Sequence, residues 1–339
     1  MDQGAVPGVS SAGRLRLVAR AEYERRQVAT RVSVVVNPQS GAGRARRRLA
    51  ELDRGLKRLG LSYEILETRH TGHASELARE ARARGCDVLG VVGGDGTLNE
   101  VSQAYIDAQG APIAGPPLAV IPSGTGGDFA RCCGFAPGNL ELALERLRAR
   151  KLRDADLGLL RLHDAHGQPL SRAFINIASA GISGEVDERV ERGPKWLGGK
   201  LAFVLATLGA TFGYRNVPVS ISLDGKPWHE GPVLVVAIAN GQFFGGGMHV
   251  APHADWGDGS FDVVCVGDLT RTQFLIQLPK VRNGTHLGLD SVRSSRGRVV
   301  TLRGLDLARP VLVDADGETP GYLPLEAQIL PRALQLCVD

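Results

Sequence analysis

The sequence predicts an α/β protein of two domains: an N-terminal domain of parallel strands alternating with helices, and a C-terminal antiparallel β-sandwich. Three observations predict it. From Arg31 to about Arg150, short β-branched runs alternate with amphipathic stretches of helix length. Beyond that point short strands follow one another with few long helices between them. A length of 339 residues favours two domains over one.

The elements follow in order. Residues 1–30 are polar, Arg-containing and rich in small residues, without the pattern of a signal peptide, and are expected to form a loosely ordered tail. Val32–Val36 (VSVVV) is a first strand, closed by Asn37-Pro38. Gly43–Gly60 is helical, because Ala45, Leu49, Leu52, Leu56 and Leu59 recur at helical spacing. Arg44, Arg46, Arg47, Arg48 and Arg54 fall mostly off that stripe and give a solvated basic face. Tyr63–Glu67 reads as a strand, Gly72–Arg84 as a helix through Ala74, Leu77, Ala78 and Ala81, and Val88–Val92 as a buried strand. A helix over roughly Thr97–Ala108, a strand at Leu118–Ile121 and a helix at Leu140–Arg150 complete the first domain. The second takes short strands at Ala173–Ala178, Val217–Leu223, Val233–Ala239, Phe261–Val266, Val299–Leu302 and Val311–Val313. The boundary falls near Leu152–Gly158, which divides residues 31–155 from 156–339, with the last strand free to return to the first domain.

Composition narrows the function classes. With 43% hydrophobic and 22% charged residues the chain is too apolar for disorder. Forty Lys plus Arg against 36 Asp plus Glu leave a net charge of only +4, which argues against a nucleic-acid binder and leaves an anionic ligand or membrane surface open. Glycine, 44 of 339 residues, stands at roughly twice average usage without any repeat, so glycines mark tight turns and close approaches. Five cysteines with no C-x-x-C spacing indicate neither a disulfide framework nor a zinc site, and point to a reducing, cytoplasmic compartment. Cys132 and Cys133 read as small buried residues. The apolar run Trp196–Tyr214 contains Lys200 and falls short of a membrane span, so it reads as a buried or interfacial helix.

The chemistry concentrates at strand ends. Val91–Glu100 (VVGGDGTLNE) takes a buried strand through Gly93-Gly94-Asp95-Gly96-Thr97 directly into a helix. Glycines there let the backbone approach a ligand, and a helix N-terminus offers unpaired N–H groups to phosphate. A carboxylate in such a turn is unfavourable without a cation, so Asp95 is expected to face a phosphate-bound Mg2+; the alternative is that it merely caps the helix that begins there. Asn37-Pro38-Gln39-Ser40-Gly41 and Pro122-Ser123-Gly124-Thr125-Gly126-Gly127-Asp128 end two further strands on the same edge. Together the three turns make a glycine-lined rim suited to a nucleotide.

In this order NPQSG (Asn37–Gly41), GGDGTLNE (Gly93–Glu100), PSGTGGDFAR (Pro122–Arg131) and DGE (Asp316–Glu318) resemble the diacylglycerol kinase catalytic family, which includes bacterial diacylglycerol kinases, YegS-like lipid kinases and sphingosine kinases. The resemblance runs from about Arg31 to the C-terminus. It implies a Rossmann-like nucleotide domain, a β-sandwich domain that takes the lipid, and ATP and Mg2+ as cofactors. ATP contacts are implied for Asn37, Pro38, Gln39, Ser40 and Gly41, for Thr68, for Gly94, Asp95, Gly96, Thr97, Leu98, Asn99 and Glu100, and for Thr125, with Asp95 near the metal. It further implies that Glu318 accepts the proton of the acceptor hydroxyl, with Asp316 its close rival. Without the upstream motifs, VDADGETP reads as an Asp-Gly hairpin turn. A structural Mg2+ is implied at Asp255, Asp258 and Ser260, in a loop that alternatively reads as an acidic Asp-Gly turn.

The chain also departs from the family. Gly127 stands where many relatives carry Asn, and Ala42, Gly43 and Arg44 where a Lys is common. His70 and His73 flank Gly72, are expected to have no acidic or Cys partner nearby, and read as solvated or capping residues. Asn240–Gly247 with Met248 reads equally as a cleft border and as core. The expected partner is a lipid at an anionic membrane surface, met peripherally at the inner face, with no nucleic acid and with homodimerisation left open. Two rival readings remain: a small-molecule kinase of the NAD kinase type, which shares GGDGT, and a homologue that kept the fold and lost turnover.

Overall fold

A computed structural model describes residues 30–123, 127–135, 138–183 and 215–338. Thr125 and the Trp196–Tyr214 run lie outside these residues.

The β-branched run at the start of the first domain forms a strand buried on both faces. β1 (Arg31–Val36) exposes only Arg31, as expected of a strand inside a parallel sheet covered by helices. It pairs in parallel with β2 (Ser62–Glu67) on one side and β3 (Val88–Gly93) on the other, and β3 pairs in parallel with β4 (Leu118–Pro122). The order is β2-β1-β3-β4. The helices are α1 (Ser40–Arg58), α2 (His73–Ala83), α3 (Asp95–Ser102), α4 (Asp128–Cys132) and α5 (Leu140–Ala149). In α1, Ala45, Leu52 and Leu56 of the predicted stripe are buried, and Gly55 leaves room for Leu144 of α5, which a Cβ there would strike.

The C-terminal domain is antiparallel throughout. Its strands are β5 (Lys151–His163), β6 (Pro169–Phe174), β7 (Ile177–Gly181), β8 (Val217–Leu223), β9 (Lys226–Val233), β10 (Val235–Ala239), β11 (Phe243–Phe244), β12 (Met248–His249), β13 (Phe261–Val266), β14 (Val292–Gly297), β15 (Val299–Gly304), β16 (Leu312–Ala315) and β17 (Glu318–Val338), with α6 (Arg271–Arg282) between β13 and β14. One layer runs β14-β13-β10-β7-β16-β17, and β15, β8 and β9 continue from β17. Two apolar cores result. One underlies the parallel sheet and takes in Leu157, Trp256 and Leu334, and the other lies inside the sandwich around Phe174, Ile238 and Phe261.

Several elements differ from the sequence reading, each for a physical reason. α1 and α3 begin at Ser40 and Asp95, so the NPQSG and GGDGT motifs enter the first turns of helices. α3 ends early, at Ser102, and a 3-10 turn carries the chain to Tyr105. The single strand expected over Ala173–Ala178 is split, because the N–H groups of Ile175, Asn176 and Ile177 turn to the Asp316 carboxylate instead of a neighbouring strand. α6 lacks a clean stripe and contains Pro279, and its start is fixed by a capping box between Thr270 and Gln273. β17 is 21 residues long. Pro320, Gly321, Pro324 and Pro331 hide it from a strand pattern, and register shifts at Tyr322/Glu326 and Leu330/Leu334 accommodate it. It pairs with β5 from Tyr322–His163 to Val338–Lys151, and Leu336 pairs in parallel with Leu118 of β4. All five cysteines are free thiols. Among the described residues no helix is long and apolar enough to cross a membrane.

Candidate active site

The parallel sheet reverses its winding between β1 and β3, since β1 leads outward to β2 on one side while β3 and β4 extend the other. Open α/β sheets bind ligands outside the carboxyl ends of the strands at such a point. Both strand ends here carry the motifs. The Asn37 N–H donates to Val92 O (3.0 Å), its Oδ1 accepts the Gln39 N–H (3.0 Å), and its Nδ2 donates to Thr97 Oγ1 (3.3 Å). Thr68 joins through its N–H to Val36 O (2.8 Å). Ser40 and Ser123 hydroxyls meet at 2.5 Å and link the ends of β1 and β4. Four strand ends are thus knotted into one polar rim. Behind it lies a small apolar recess walled by Leu52, Val92, Ile121 and Leu140, with Arg48 and Ser123 at its edge.

The glycines of the second motif divide by role. A Cβ on Gly93 would strike the Thr97 side chain, whereas one on Gly94 or Gly96 would meet nothing within 4 Å. Gly93 is required by packing. Gly94 and Gly96 keep open the space in front of the first turn of α3, where backbone N–H groups lack helical partners. A rim of small residues, hydroxyls, the Asn37 side chain and helix N-termini fits a polyphosphate.

Asp95 lies in that turn, and both its oxygens are engaged. They accept the N–H groups of Asp128 (2.8 Å) and Phe129 (3.0 Å), so its carboxylate caps α4. The sequence set metal facing against a cap on the helix that Asp95 itself opens; α3 has Gly94 as its N-cap and no side-chain cap bond, and the capping bonds of Asp95 go to the neighbouring α4 instead. Asp128 beside it binds Arg131 (2.6 Å) and the Gly246 N–H (2.7 Å). Burial, and then the charge of Asp95, pushes Asp128 up to about 6, and burial holds Asp95 above the ordinary carboxylate range. Two neighbouring carboxyl groups raised in this way suit a divalent cation, which would relieve their repulsion. Gly127, the N-cap of α4, has φ +69°. Glycine and asparagine both tolerate that conformation, so the departure from Asn keeps the turn and removes only a side chain.

The second half of the site comes from the turn between β16 and β17. Asp316 and Gly317 both have positive φ, +53° and +87°, as in the two-residue Asp-Gly hairpin turn. The hairpin reading and the functional reading of DGE therefore describe the same residues. The buried Asp316 carboxylate accepts four bonds, from the N–H groups of Ile175 (2.8 Å), Asn176 (3.0 Å) and Ile177 (2.9 Å) and from Asn99 Nδ2 (2.9 Å). Burial pushes it up to about 7 against those donors. Glu318 is the more exposed of the pair. Its carboxylate is ion-paired with Arg172 of β6, each side chain about 30% exposed, and Arg172 also reaches Asn99 Oδ1 (3.5 Å). Asn99 lies one helical turn after Asp95, so α3 connects the glycine rim at its start to the acidic turn at its side.

Other expected positions go elsewhere. Leu98 is buried in the core. Asn99 faces the second domain, with its side chain also donating to Ala173 O (3.3 Å). Glu100 accepts the Ala74 N–H (3.0 Å) at the start of α2. All three are engaged by the protein's own groups. The loop where a cation is expected at Asp255, Asp258 and Ser260 also carries two arginine contacts. Arg153 pairs with Asp255 and Arg296 with Asp258, whose Oδ1 also takes the Ser260 N–H (3.1 Å). His70 and His73 stack, and His73 Nδ1 accepts the Arg69 N–H (3.0 Å); contrary to the expectation of no acidic partner, Glu76 of α2 lies within 4.8 Å of both. Asn176, before the Gly-rich Asn240–Gly247 segment in sequence, donates to Phe243 O (2.8 Å), which sets that segment against the cleft. Arg172 and Asp128 are the residues that sequence reasoning missed. Asp128 stood at the end of a quoted motif, and its spacing of three from Arg131 signals a helix-entry pair; Arg172 carries no local signal.

Comparison with known proteins shows the family of the chain. Residues 31–160 match the diacylglycerol kinase catalytic domain and residues 176–338 the YegS C-terminal NAD kinase beta sandwich-like domain. A diacylglycerol kinase of Mycobacterium tuberculosis is 30% identical, over 92% of this chain and 96% of that one. A protein of Stenotrophomonas maltophilia named "Probable lipid kinase YegS-like" is 32% identical, over 82% of this chain and 87% of that one. A crystal structure of a diacylglycerol kinase from Bacillus anthracis shares the fold with a TM-score of 0.66 at 21% identity, covering 91% of this chain and 97% of that one. A glycine rim at the switch point, an acidic hairpin docked on the helix that starts there, and likeness along nearly the whole chain make this protein a member of the diacylglycerol kinase and YegS-like lipid kinase family, phosphotransferases with an alcohol group as acceptor.

Proposed function

We propose that the chain transfers the γ-phosphoryl group of ATP, with Mg2+, to a hydroxyl of a lipid such as a diacylglycerol or a sphingoid base. The observation that carries this reading is the Asn99–Asp316 bond, which fixes the acidic turn of one domain on the helix whose N-terminus faces the other's glycine rim. The rim amides, Asn37 and Thr97 would hold the phosphates. Asp95 and Asp128 would hold Mg2+, which neutralises charge on the phosphates when bound.

Glu318 is the proton acceptor in this reading. The acceptor oxygen attacks the γ-phosphorus as the bond to the bridging β–γ oxygen breaks, the hydroxyl proton passes to the Glu318 carboxylate, and ADP leaves. Asp316 is engaged by four donors and buried, so it shapes the turn and leaves proton transfer to Glu318. Positioning and charge supply most of the rate in phosphoryl transfer, and a general base adds roughly 10²- to 10⁴-fold. The enzyme would meet its lipid peripherally at the anionic inner face of a membrane, on the cytoplasmic side. An alternative acceptor is NAD, given the sandwich domain's likeness.

Label transfer from ATP into a panel of lipids, with NAD in parallel and Mg2+ present or chelated, tests the reading. A labelled lipid that disappears with chelation and with Glu318→Gln supports it. Labelled NAD alone supports the small-molecule alternative, and no labelled product identifies a homologue without turnover.

A further inference from the structure

Among the described residues five large apolar side chains are exposed: Leu152, Leu275, Ile276, Leu305 and Leu307. Four of them lie at one end of the sandwich. Strand register defines that end, because Gly181 of β7 pairs with Val235 of β10, Val235 with Val266 of β13, and Val266 with Val292 of β14. The opposite end of β7, Ile177, accepts the Asp316 N–H, so about 13 Å of strand separates this end from the acidic turn.

Asn216 ties the two exposed segments together. Its side chain donates to Asp268 and to Leu269 O (2.9 Å), just before α6, and its carbonyl accepts from Arg309 (3.3 Å), at the end of the loop that carries Leu305 and Leu307. The Leu305 N–H bonds to Pro218 O (2.9 Å). Ile276 stands six residues beyond Thr270, about 9 Å along the helix. Ile276 is 69% and Leu307 95% exposed, an unusual placement for such side chains on a solvated face.

Charge narrows the kind of partner. Arg215, Arg293 and Arg303 are exposed at this end, and Lys280 and Arg282 continue along α6. Of the nearby acids, Asp268 is bonded to Asn216, Asp306 caps the Ala308 N–H (3.1 Å) and Asp290 is exposed, which leaves the cations in excess. Protein interfaces gather contiguous apolar area at their core. Single apolar tips among cations instead match the boundary between headgroups and acyl chains of an anionic bilayer.

We infer that this end of the sandwich is a docking surface for an anionic bilayer, with Ile276 and Leu307 entering the interface and the surrounding Arg and Lys meeting lipid phosphates. The inference rests on the lipid-kinase reading only for its choice of partner.

Co-sedimentation of the full chain with phosphatidylcholine vesicles, with and without roughly 30 mol % phosphatidylglycerol, tests it. The wild type is expected to pellet with the anionic vesicles, the Ile276→Glu/Leu307→Glu variant to bind them at least about tenfold more weakly, and Leu152→Glu to bind as wild type. Lys280→Glu/Arg303→Glu, which touches no apolar contact, is expected to lose the preference for anionic vesicles. Binding of both double variants at the wild-type level overturns the inference, as does a wild-type chain that pellets with neither vesicle or a wild-type dimer that the apolar double variant dissociates. Glu318→Gln separates the two readings, since it is expected to keep vesicle binding while turnover of a dispersed short-chain diacylglycerol disappears. Vesicle binding without any such turnover in the wild type overturns the kinase reading and leaves the docking surface standing.

Discussion

Arg172 of β6 and Glu318 of β17 form an ion pair beside Asn99, so the guanidinium bridges the carboxylate and the helix that starts at the glycine rim. Pairs this exposed contribute at most about 1 kcal/mol to stability. The pair's consequence is orientation. Arg172→Gln is expected to lower kcat about tenfold or more while changing the lipid KM and the melting temperature little, and Arg172→Lys to recover part of the loss. Steady-state kinetics on both variants checks this, and a purely structural pair would show only a stability change.

Gly93 and Gly96 are three residues apart and predict opposite outcomes. A Cβ on Gly93 collides with Thr97, while one on Gly96 meets open space. Gly93→Ala should destabilise by about 1 to 3 kcal/mol. Gly96→Ala, at a helical position, should stabilise by up to about 1 kcal/mol and weaken ATP binding by filling the space the phosphates need. Thermal unfolding beside nucleotide titration separates the two, and equal ATP affinity in Gly96→Ala and wild type would contradict the rim assignment.

Asp316 carries a pH signature. Burial raises it from the ordinary 3.8 to about 7 in the folded chain. Over that window the folded state holds a proton that the unfolded state has lost, so this group's contribution to stability falls as pH rises and levels off above the folded value. Urea unfolding of wild type and Asp316→Asn at several pH values should show a slope in this window that the variant lacks. Parallel curves would mean that the four donors keep Asp316 ionised throughout.

Asp95→Asn replaces one acceptor that caps α4 with a donor facing an N–H. A loss of about 1 to 2 kcal/mol is expected from the cap. Turnover should fall as well and require more Mg2+ than wild type. Melting curves and a Mg2+ titration of activity read the two effects independently, and an unchanged Mg2+ requirement would leave Asp95 as a cap alone.

Much of this was legible in the sequence because its signals are local. A valine run followed by Asn-Pro, and glycines between a buried strand and a helix, each carry their own conformational reason, so β1, β3 and the rim could be read directly. The outcome was less local for Asn99 and Glu100. Their motif marks them as neighbours of the nucleotide turn, but only tertiary packing turns Asn99 to Asp316 and Glu100 to the start of α2. The arginines opposite Asp255 and Asp258 lie 102 and 38 residues away, a distance at which no spacing rule operates. β17 escaped detection because prolines that ordinarily end strands are absorbed by its bulges and by a register that changes along its partner.

The long ribbon of β5 and β17 restricts how the cleft can work. Two lobes joined by a slack tether swing freely, but here a pair of hydrogen-bonded strands runs through both and ends beside β4. Closure over a substrate must flex that ribbon, most easily at its two irregular points near Tyr322 and Leu330.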